Sequence, residues 1–473
     1  MSTSRLTLEQ KQPVEIIPEQ FISVAIDASQ IIGGYWWDNS DTVKGGVGNR
    51  KVPPLNLNNE NLIRYTKVLS PYCIRIGGTE ADRIFYSLKK SLTELPKGYH
   101  YYLGKERWKE LERFAKDCGS RLMITINAGP GPRIEKQRWR KKNARQLIRY
   151  AHKKNHAVAV WELGNEVNAY PFFMGSSHRM NPKEYAGDMK KLKNLIPEDS
   201  QARTAGPALA VWPVIGETLP FLKRFLKHCP VPLDILTWHY YPQQSSRSIA
   251  AVRRSRKKTM LKPSHLDEIV RQTVKLKTLR DRYQPEAEMW LGETGHALCG
   301  GEPGLSDTFY SGFWWLDQLG LMALHNQKQV VRQTLSGGDY GLLDKEDHTP
   351  LPDYWTTLLW NRYAGTQVYK TAGRDNKKLR LYCHSLKGRR EGYCIIFVSL
   401  EEKEKITLHV DASLPEIQEE VVLSSSDIYS REIRLNGETL EPETLEEGLK
   451  ARKITPGRTY SIDPLSYGFL LLY

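Results

Sequence analysis

Short apolar runs alternate with amphipathic stretches from about residue 20 to about residue 345, and this alternation limits the possible folds more than any other feature. Most runs are apolar almost throughout, which is typical of strands buried on both faces of a parallel sheet. Helical periodicity marks the stretches between them, as at 107–118, 144–154, 266–282 and 307–325. Eight runs are predicted strands: 21–27, 72–78, 121–127, 157–164, 204–209, 234–241, 288–294 and 330–335. Eight such units in sequence predict a (β/α)8 TIM barrel.

The competing architecture is an open, doubly wound sheet, which also alternates strands with helices. That fold commonly carries a GxGxxG turn after its first strand, where backbone N–H groups bind a phosphate. No such turn follows residues 21–27, so the barrel is favoured.

After about residue 365 the predicted strands follow one another without helices, which is typical of a β-sandwich. These strands are 377–384, 393–400, 405–410, 419–425, 431–437 and 466–473. Residues 6–17 could add an edge strand to the sandwich. We therefore predict an N-terminal segment (1–18) that contributes to the sandwich, a barrel (19–360) and the β-sandwich itself (361–473).

The composition of the 473 residues is that of a folded protein with a large core. Hydrophobic residues make up 40%, with 12 Trp and 24 Tyr, which excludes a disordered chain. No window approaches the roughly 18 apolar residues of a transmembrane helix, and the first residues lack the apolar region of a secretory signal. The six cysteines form neither a CxxC pair nor a zinc spacing, so we expect free, buried thiols.

Two predicted strands end in a glutamate. Glu166 follows the fourth strand, directly after Asn165, and Glu293 ends the seventh. Because barrel enzymes carry their active sites at the carboxyl ends of the strands, the two carboxylates should face each other across the mouth. Either glutamate alone would be interpreted as a surface carboxylate. The pair is typical of glycoside hydrolysis, which needs an acid for the leaving oxygen and a second carboxylate for the sugar carbon.

Around these residues the sequence resembles the retaining glycosidases of clan A and, more closely, heparanase and its relatives in glycoside hydrolase family 79. The motifs VWELGNEVNAY (160–170) and MWLGETGHALCGGEPGLSDTFYSGFWWLDQLG (289–320) carry the resemblance. Further similar segments are 21–29, 69–82, 330–344, 351–360 and 431–440. The resemblance implies an endo-β-glucuronidase with a barrel and a β-sandwich, without a metal or other cofactor.

The resemblance also implies catalytic roles. Glu166 would be the general acid/base and Glu293 the nucleophile, with carboxyl groups ~5–5.5 Å apart in a retaining enzyme. Asn165 would bind the sugar 2-hydroxyl. Tyr241 would donate a hydrogen bond to Glu293, with Tyr240 as the alternative.

Further residues would bind the glucuronate. The resemblance points to Tyr340, Gln333 and the backbone of Gly300 for its carboxylate, and to Asp27 and the backbone near Thr79 for its hydroxyls.

Three other residues bear on this site. His239 is expected only to orient its neighbours. Cys299 stands where the family commonly has glycine, and His296 where animal relatives have serine.

The excess positive charge lies in two segments. The chain has a net charge of +15; residues 133–154 carry +9 and residues 251–282 carry +8. Since these segments follow the third and sixth strands, we expect both at the barrel mouth, where they would bind an acidic polysaccharide. Two solvated helix faces are the alternative interpretation. Nucleic acid is not expected as a partner, because no nucleic-acid-binding module is present.

These observations predict a retaining endo-β-glucuronidase that cleaves heparan sulfate. Alternatives are a hyaluronan-cleaving or exo-acting β-glucuronidase of the same family and a non-catalytic glycosaminoglycan-binding protein. We expect a monomer whose loop 88–106 is too short to hold a long excised linker, and hence an active single chain. Localisation stays open, because this substrate class is extracellular and no signal is visible.

Overall fold

A closed ring of eight parallel strands lies at the centre of the computed structural model. We number them barrel strands 1 to 8: Ile22–Asp27, Cys73–Gly77, Arg121–Ile126, Val158–Leu163, Arg203–Val211, Ile235–Tyr240, Glu288–Thr294 and Gln327–Arg332. Each strand pairs with the next along the chain, and strand 8 closes the ring on strand 1. The structure describes residues 2–37, 43–44, 47–48, 50–88, 92–136, 138–212, 219–248, 252–372, 375–447 and 449–473.

All eight predicted runs form the barrel strands, but strand 8 lies three residues earlier than predicted. It spans Gln327–Arg332 instead of 330–335. The predicted start is too late because two glutamines lie among the first three residues of the strand, and glutamine is unusual in a buried strand. Both glutamines are buried, and each accepts a hydrogen bond from another side chain. The donor to Gln327 is Trp238 (3.0 Å), and the donor to Gln329 is Ser23 (2.7 Å).

Within the part of the chain that the structure describes, eight helices surround the barrel, one after each strand. They are Glu60–Leu69, Lys105–Asp117, Lys142–Lys153, Pro182–Lys193, Leu219–His228, Glu268–Tyr283, Phe309–Leu324 and Pro352–Tyr363. Capping residues in the sequence determine where several of these helices begin. Asn59 accepts a hydrogen bond from the Leu62 N–H, and Asn181 caps the helix that opens with Pro182.

Short elements complete the barrel loops. Shorter α-helices are Ala28–Ile32, Tyr170–Phe173 and Pro263–Leu266, with Thr444–Glu447 in the C-terminal part. The 3₁₀ helices are Thr79–Arg83, Gly131–Lys136, Val167–Ala169, Ser176–His178 and Thr259–Leu261. Paired short strands are Ile84–Ser87 with Tyr101–Gly104, Tyr35–Trp36 with Arg50–Lys51, and Val43–Lys44 with Val47–Gly48.

Two mainly antiparallel sheets form the C-terminal part, which confirms the predicted fold class. Within the described ranges, the smaller sheet contains Thr371–Ala372, Ser2–Leu8, Ile406–Val410 and Thr459–Ile462. The larger contains Glu15–Ile16, Ala364–Tyr369, Leu379–Leu386, Tyr393–Ser399, Tyr467–Leu472, Ile417–Ser424, Arg434–Leu435, Glu438–Thr439 and Arg452–Gly457. A shared apolar core includes Leu6 and Leu408 from the smaller sheet and Phe397 and Leu470 from the larger.

The predicted strand 431–437 is wrong in its extent. Only Arg434–Leu435 forms a strand there, because Asn436 and Gly437 both adopt positive φ (51° and 94°) and turn the chain into a two-residue hairpin with Glu438–Thr439.

Residues before the barrel pair with both C-terminal sheets. Ser2–Leu8 runs parallel to Ile406–Val410, and Glu15–Ile16 pairs with Ala364–Tyr369. The division at residues 18 and 360 stays a prediction.

The sequence predicted free cysteines and no transmembrane helix. All six cysteines are unpaired, and five are buried, with Cys229 half-buried. Among the described residues, no helix combines the length and the apolar character needed to cross a bilayer.

Candidate active site

A tight turn after barrel strand 4 positions Glu166. Gly164 and Glu166 both have positive φ (73° and 50°), a conformation that costs a glutamate free energy and is often found at functional sites. Asp82 holds this turn, because its carboxylate accepts the Asn165 N–H at 2.7 Å and the Ala128 N–H at 2.8 Å. Glu166 is almost completely buried, with 4% of its surface exposed.

Glu293 lies at the end of barrel strand 7, between two donors. The Tyr241 hydroxyl donates to its Oε1 at 2.6 Å, and the Arg75 guanidinium donates to its Oε2 at 2.8 Å. Burial and the neighbouring Glu293 raise the pKa of Tyr241 well above its usual value, so its hydroxyl keeps the proton that it donates. The structure thus brings Tyr241 to Glu293. Tyr240 lies elsewhere: its buried hydroxyl has no partner among the described residues.

The two glutamates approach each other closely. One carboxylate oxygen of each lies within 4.8 Å of the other and of a ring nitrogen of His239. Burial raises the pKa of Glu166, and the nearby Glu293 carboxylate adds to this effect, although the contact with His239 opposes it. A carboxyl group that keeps its proton beside a second carboxylate is suited to general acid catalysis, and the close spacing fits a retaining mechanism.

His239 connects Glu166 to Arg75. Its Nδ1 lies 3.3 Å from Glu166 Oε1, and its Nε2 lies 3.3 Å from an Arg75 nitrogen. Arginine can only donate, so Nε2 is the acceptor and Nδ1 carries the proton that is donated to Glu166. Burial lowers the pKa of His239, which favours the neutral ring.

Arg75 is a central residue of this site that the sequence analysis missed. It is fully buried on barrel strand 2 and contacts Glu162 (2.8 Å), Glu293 (2.8 Å) and Asn165 Oδ1 (2.9 Å). A single cation inside an otherwise apolar strand was the available signal, since a buried charge needs a partner of opposite charge. Glu162, on barrel strand 4, supplies that partner and also accepts a hydrogen bond from Thr125.

Glu166, His239 and Glu293 are also close enough together to hold a metal ion. The Arg75 guanidinium, however, already places a positive charge against Glu293 and His239. A divalent cation at the same position would be repelled by it, so this group of residues fits acid–base chemistry better than metal binding.

The predicted hydroxyl-binding residues lie at the ends of barrel strands 1 and 2. Asp27 accepts hydrogen bonds from the backbone and hydroxyl of Ser29 at 2.9 and 2.8 Å, and burial raises its pKa to about 7. Gly78 has a φ of 91°, and a Cβ there would collide with the Asp27 carboxylate. Thr79 is half-buried at the start of a 3₁₀ helix, and the Gly78 N–H donates to Asn165 at 3.1 Å.

The predicted carboxylate-binding residues lie in the loops after barrel strands 7 and 8. Tyr340 packs with Tyr241 and Trp36, which places it beside the nucleophile candidate. Gln333 is buried, and its Oε1 has no partner among the described residues. The Gly300 carbonyl accepts the Asp339 N–H at 2.6 Å, so the two loops contact each other here.

Both residues that depart from the family pattern are buried beside the site. Cys299 has a φ of 71°, a conformation that explains why glycine is common at this position. His296 is fully buried, and burial lowers its pKa to about 3, so it is neutral. Its Nδ1 lies 2.7 Å from the Ser306 hydroxyl, and its ring packs edge-on against Tyr310 and Trp314.

The expectation that both basic segments lie wholly at the mouth is wrong. A helix that follows a barrel strand starts at the mouth and returns to the opposite end. Helices Lys142–Lys153 and Glu268–Tyr283, which together hold +7 of the +17, therefore lead away from the site. Arg280, for example, donates to the Ala287 carbonyl just before barrel strand 7 begins. Residue 137 of the first segment and residue 251 of the second lie outside the described residues.

The barrel and the two facing carboxylates define a glycoside hydrolase. The family model "Glycosyl hydrolase family 79, N-terminal domain" matches residues 3–320, so the chain belongs to glycosyl hydrolase family 79. The resemblance found in the sequence is thereby confirmed.

Known proteins resemble the chain over most of its length. Baicalin-beta-D-glucuronidase of Scutellaria baicalensis is 30% identical over 88% of this chain and 84% of its own. Heparanase of Gallus gallus is 28% identical over 99% of this chain and 95% of its own. The structure of an alpha-L-arabinofuranosidase from Thermotoga maritima superposes with a TM-score of 0.69 at 14% identity, over 99% of this chain and 100% of that one, which shows the shared fold.

Proposed function

We propose that this protein is a retaining β-glucuronidase that uses Glu166 as acid/base and Glu293 as nucleophile. The observation that carries the proposal is the pair of carboxylate oxygens within 4.8 Å of each other at the ends of barrel strands 4 and 7. Two relatives support glucuronide as the sugar, because one is a baicalin-beta-D-glucuronidase and the other a heparanase.

The reaction proceeds in two displacements. In the first, a Glu293 oxygen forms a bond to the anomeric carbon while the bond to the glycosidic oxygen breaks, and Glu166 gives its proton to that oxygen. In the second, water loses a proton to Glu166 and attacks the same carbon, which releases Glu293. Glu166 ends protonated, ready for the next cycle.

Neighbouring residues support these steps. Arg75 and Tyr241 orient the Glu293 carboxylate through hydrogen bonds of 2.8 and 2.6 Å. Asn165 uses its oxygen to accept from Arg75, while its Nδ2 has no protein acceptor among the described residues and suits a hydrogen bond to the 2-hydroxyl.

Two classes of substrate are candidates for this site. Heparan sulfate, cleaved internally, is the substrate that the basic composition and the family resemblance favour. A small glucuronide, cleaved from its end, is the second candidate. It is favoured because Arg83, Arg133 and Arg247, which lie in loops at the mouth, are each held by a carboxylate of the protein.

The test compares three single substitutions on 4-nitrophenyl β-D-glucuronide. Glu293→Gln should lower kcat by about four orders of magnitude, because no glycosyl-enzyme can form. Glu166→Ala should lower kcat by about 10²–10⁴-fold for a glucuronide with a poor leaving group. The loss should be much smaller for the nitrophenyl substrate, because its leaving group needs little protonation. Azide should rescue Glu166→Ala and give a β-glucuronyl azide.

The matched control is Glu346→Gln, which changes one exposed carboxylate in the same way and should retain wild-type activity. Near-normal turnover by Glu293→Gln would contradict the assignment. Sizing the products from heparan sulfate and hyaluronan then separates the substrates: shorter chains indicate internal cleavage, and free glucuronic acid indicates cleavage from the end.

A further inference from the structure

A buried ion pair joins the loops after barrel strands 6 and 8. Arg247, from the first loop, donates to the carboxylate of Asp339, from the second. Only 9% and 10% of these two side chains are exposed. The same guanidinium donates through Nη1 to the carbonyl of Gly301, in the loop after strand 7, at 2.8 Å. One side chain therefore connects three neighbouring loops of the barrel mouth.

The two loops that Arg247 contacts are fixed to each other by cross-links rather than by secondary structure. Residues 295–308 and 333–351, all of which the structure describes, contain no helix or strand. Their backbones lie so close together that a Cβ on Gly301 would be 2.7 Å from the backbone nitrogen of Tyr340. The relative position of these loops therefore depends on the few polar contacts between them.

These contacts lie one residue away from the groups proposed to bind the sugar carboxylate. Asp339 directly precedes Tyr340, and its N–H donates to the Gly300 carbonyl at 2.6 Å. Gly301, whose carbonyl accepts from Arg247, directly follows Gly300. Binding groups must be held within about 0.5 Å of their productive geometry. A shift of either loop would therefore weaken the binding of a carboxylated sugar more than that of a neutral one.

Arg247 is occupied by protein groups in this arrangement. One of its terminal nitrogens donates to Gly301 and the other to Asp339. The Asp339 carboxylate also balances its charge. The pair can therefore act on the sugar by fixing the position of the loops.

We propose that Arg247 and Asp339 are positioning residues that make the site selective for a carboxylated sugar over a neutral one. This rests on the proposed β-glucuronidase activity and deepens it, because it assigns the selectivity to two residues that hold the loops instead of contacting the sugar. Since both charges are buried, removing one of them leaves the other unbalanced and disturbs the loops around it.

The experiment measures the ratio of kcat/KM for 4-nitrophenyl β-D-glucuronide to kcat/KM for 4-nitrophenyl β-D-glucoside. Asp339→Asn keeps the size of the side chain and removes its charge, so the loops should shift and the ratio should fall about tenfold or more. Direct binding of the sugar carboxylate by Arg247 predicts the opposite sign. Arg247, and Lys345 at 3.8 Å from the same carboxylate, would then attract the glucuronide more strongly, and the ratio would rise. A ratio that rises or stays the same would overturn the proposal.

Two further variants and a control complete this test. Arg247→Lys keeps the positive charge but lacks the planar fork that donates to Gly301 and Asp339 together, so it should also lower the ratio. The double change Arg247→Met, Asp339→Asn leaves no unbalanced buried charge, so it should fold even if a single variant does not, and it should show the lowered ratio. The matched control is Asp344→Asn, which removes a carboxylate of the same loop that pairs with Arg431 at 2.9 Å and should keep the wild-type ratio.

Calorimetric titrations with glucuronic acid and with glucose separate this inference from the proposed function. Weaker binding of glucuronic acid by Asp339→Asn, with glucose binding unchanged, supports the positioning role even if no glucuronide is hydrolysed. Wild-type protein that binds glucuronic acid no more tightly than glucose would overturn the inference, as would a variant that binds both sugars as the wild type does. Absence of hydrolysis together with binding of glucuronic acid that depends on the pair would overturn the proposed function alone.

Discussion

At the scale of single residues, the protonation of Glu166 depends on groups from several strands. Its burial and the nearby Glu293 raise its pKa, while the hydrogen bond from His239 lowers it. Arg75 fixes the tautomer of His239 and thereby the direction of that bond. His239 is thus a positioning residue for the proposed general acid.

Replacing His239 tests this arrangement through the pH profile. His239→Phe removes the N–H that stabilises the Glu166 carboxylate, so the pKa of Glu166 should rise further. An acid catalyst is active below its pKa, so the alkaline limb of kcat/KM against pH should move to higher pH. We expect kcat at the optimum to fall about tenfold through lost orientation. A limb that moves to lower pH would show that His239 does not stabilise the carboxylate.

At the scale of elements, helix Phe309–Leu324 joins the barrel to the C-terminal sheets. Its two glycines leave space for tyrosines of the larger sheet, Gly312 for Tyr467 and Gly320 for Tyr382. Asp317, between them, accepts hydrogen bonds from Arg380 at 2.7 Å and Tyr382 at 2.5 Å. The helix is buried almost all round, which explains its weak amphipathic pattern.

Two alanine substitutions distinguish close packing from helix propensity. Gly312→Ala would place a Cβ against the Tyr467 hydroxyl and should lower the free energy of unfolding by about 1–3 kcal/mol. Gly187→Ala, in helix Pro182–Lys193, meets nothing within 4 Å and should raise that free energy by up to about 1 kcal/mol. Urea denaturation measures both. Equal effects of the two substitutions would mean that the helix does not pack as tightly as described.

At the scale of the whole molecule, positive charge is spread over both ends of the barrel. Within the second basic segment, Arg253 pairs with Glu268 and Lys258 with Glu402. Arg254 and Arg256 are exposed in the loop that runs beside the mouth. Lys153 and Lys154 are equally exposed, but they precede barrel strand 4 at the opposite end.

These positions allow a charge-matched test of polymer binding. If a sulfated chain binds at the mouth, the double change Arg254→Ser, Arg256→Ser should raise KM for heparan sulfate about five- to tenfold at low salt relative to a small glucuronide. The effect should shrink at high ionic strength, because screening acts beyond ~8 Å at physiological salt. The control Lys153→Ser, Lys154→Ser removes the same charge and should leave the KM ratio unchanged. If both double changes altered the KM ratio equally, the basic residues at the mouth would act only as solvated surface charge.

The activity of the intact chain stays a prediction at this scale as well. Strand Tyr101–Gly104 within the loop 88–106 pairs with Ile84–Ser87, and residues 89–91 lie outside the described residues. We still expect full turnover without proteolysis.

The sequence by itself determined the barrel, the C-terminal sheets and the positions of Glu166 and Glu293 at strand ends. These features depend on local periodicity, and a strand carries its last residue to the mouth whatever its neighbours are. Only the tertiary structure decided the partners of Arg75, because closure of the ring brings together side chains from distant strands. It also decided which basic residues face the mouth, since a helix of a dozen residues spans the barrel from one end to the other.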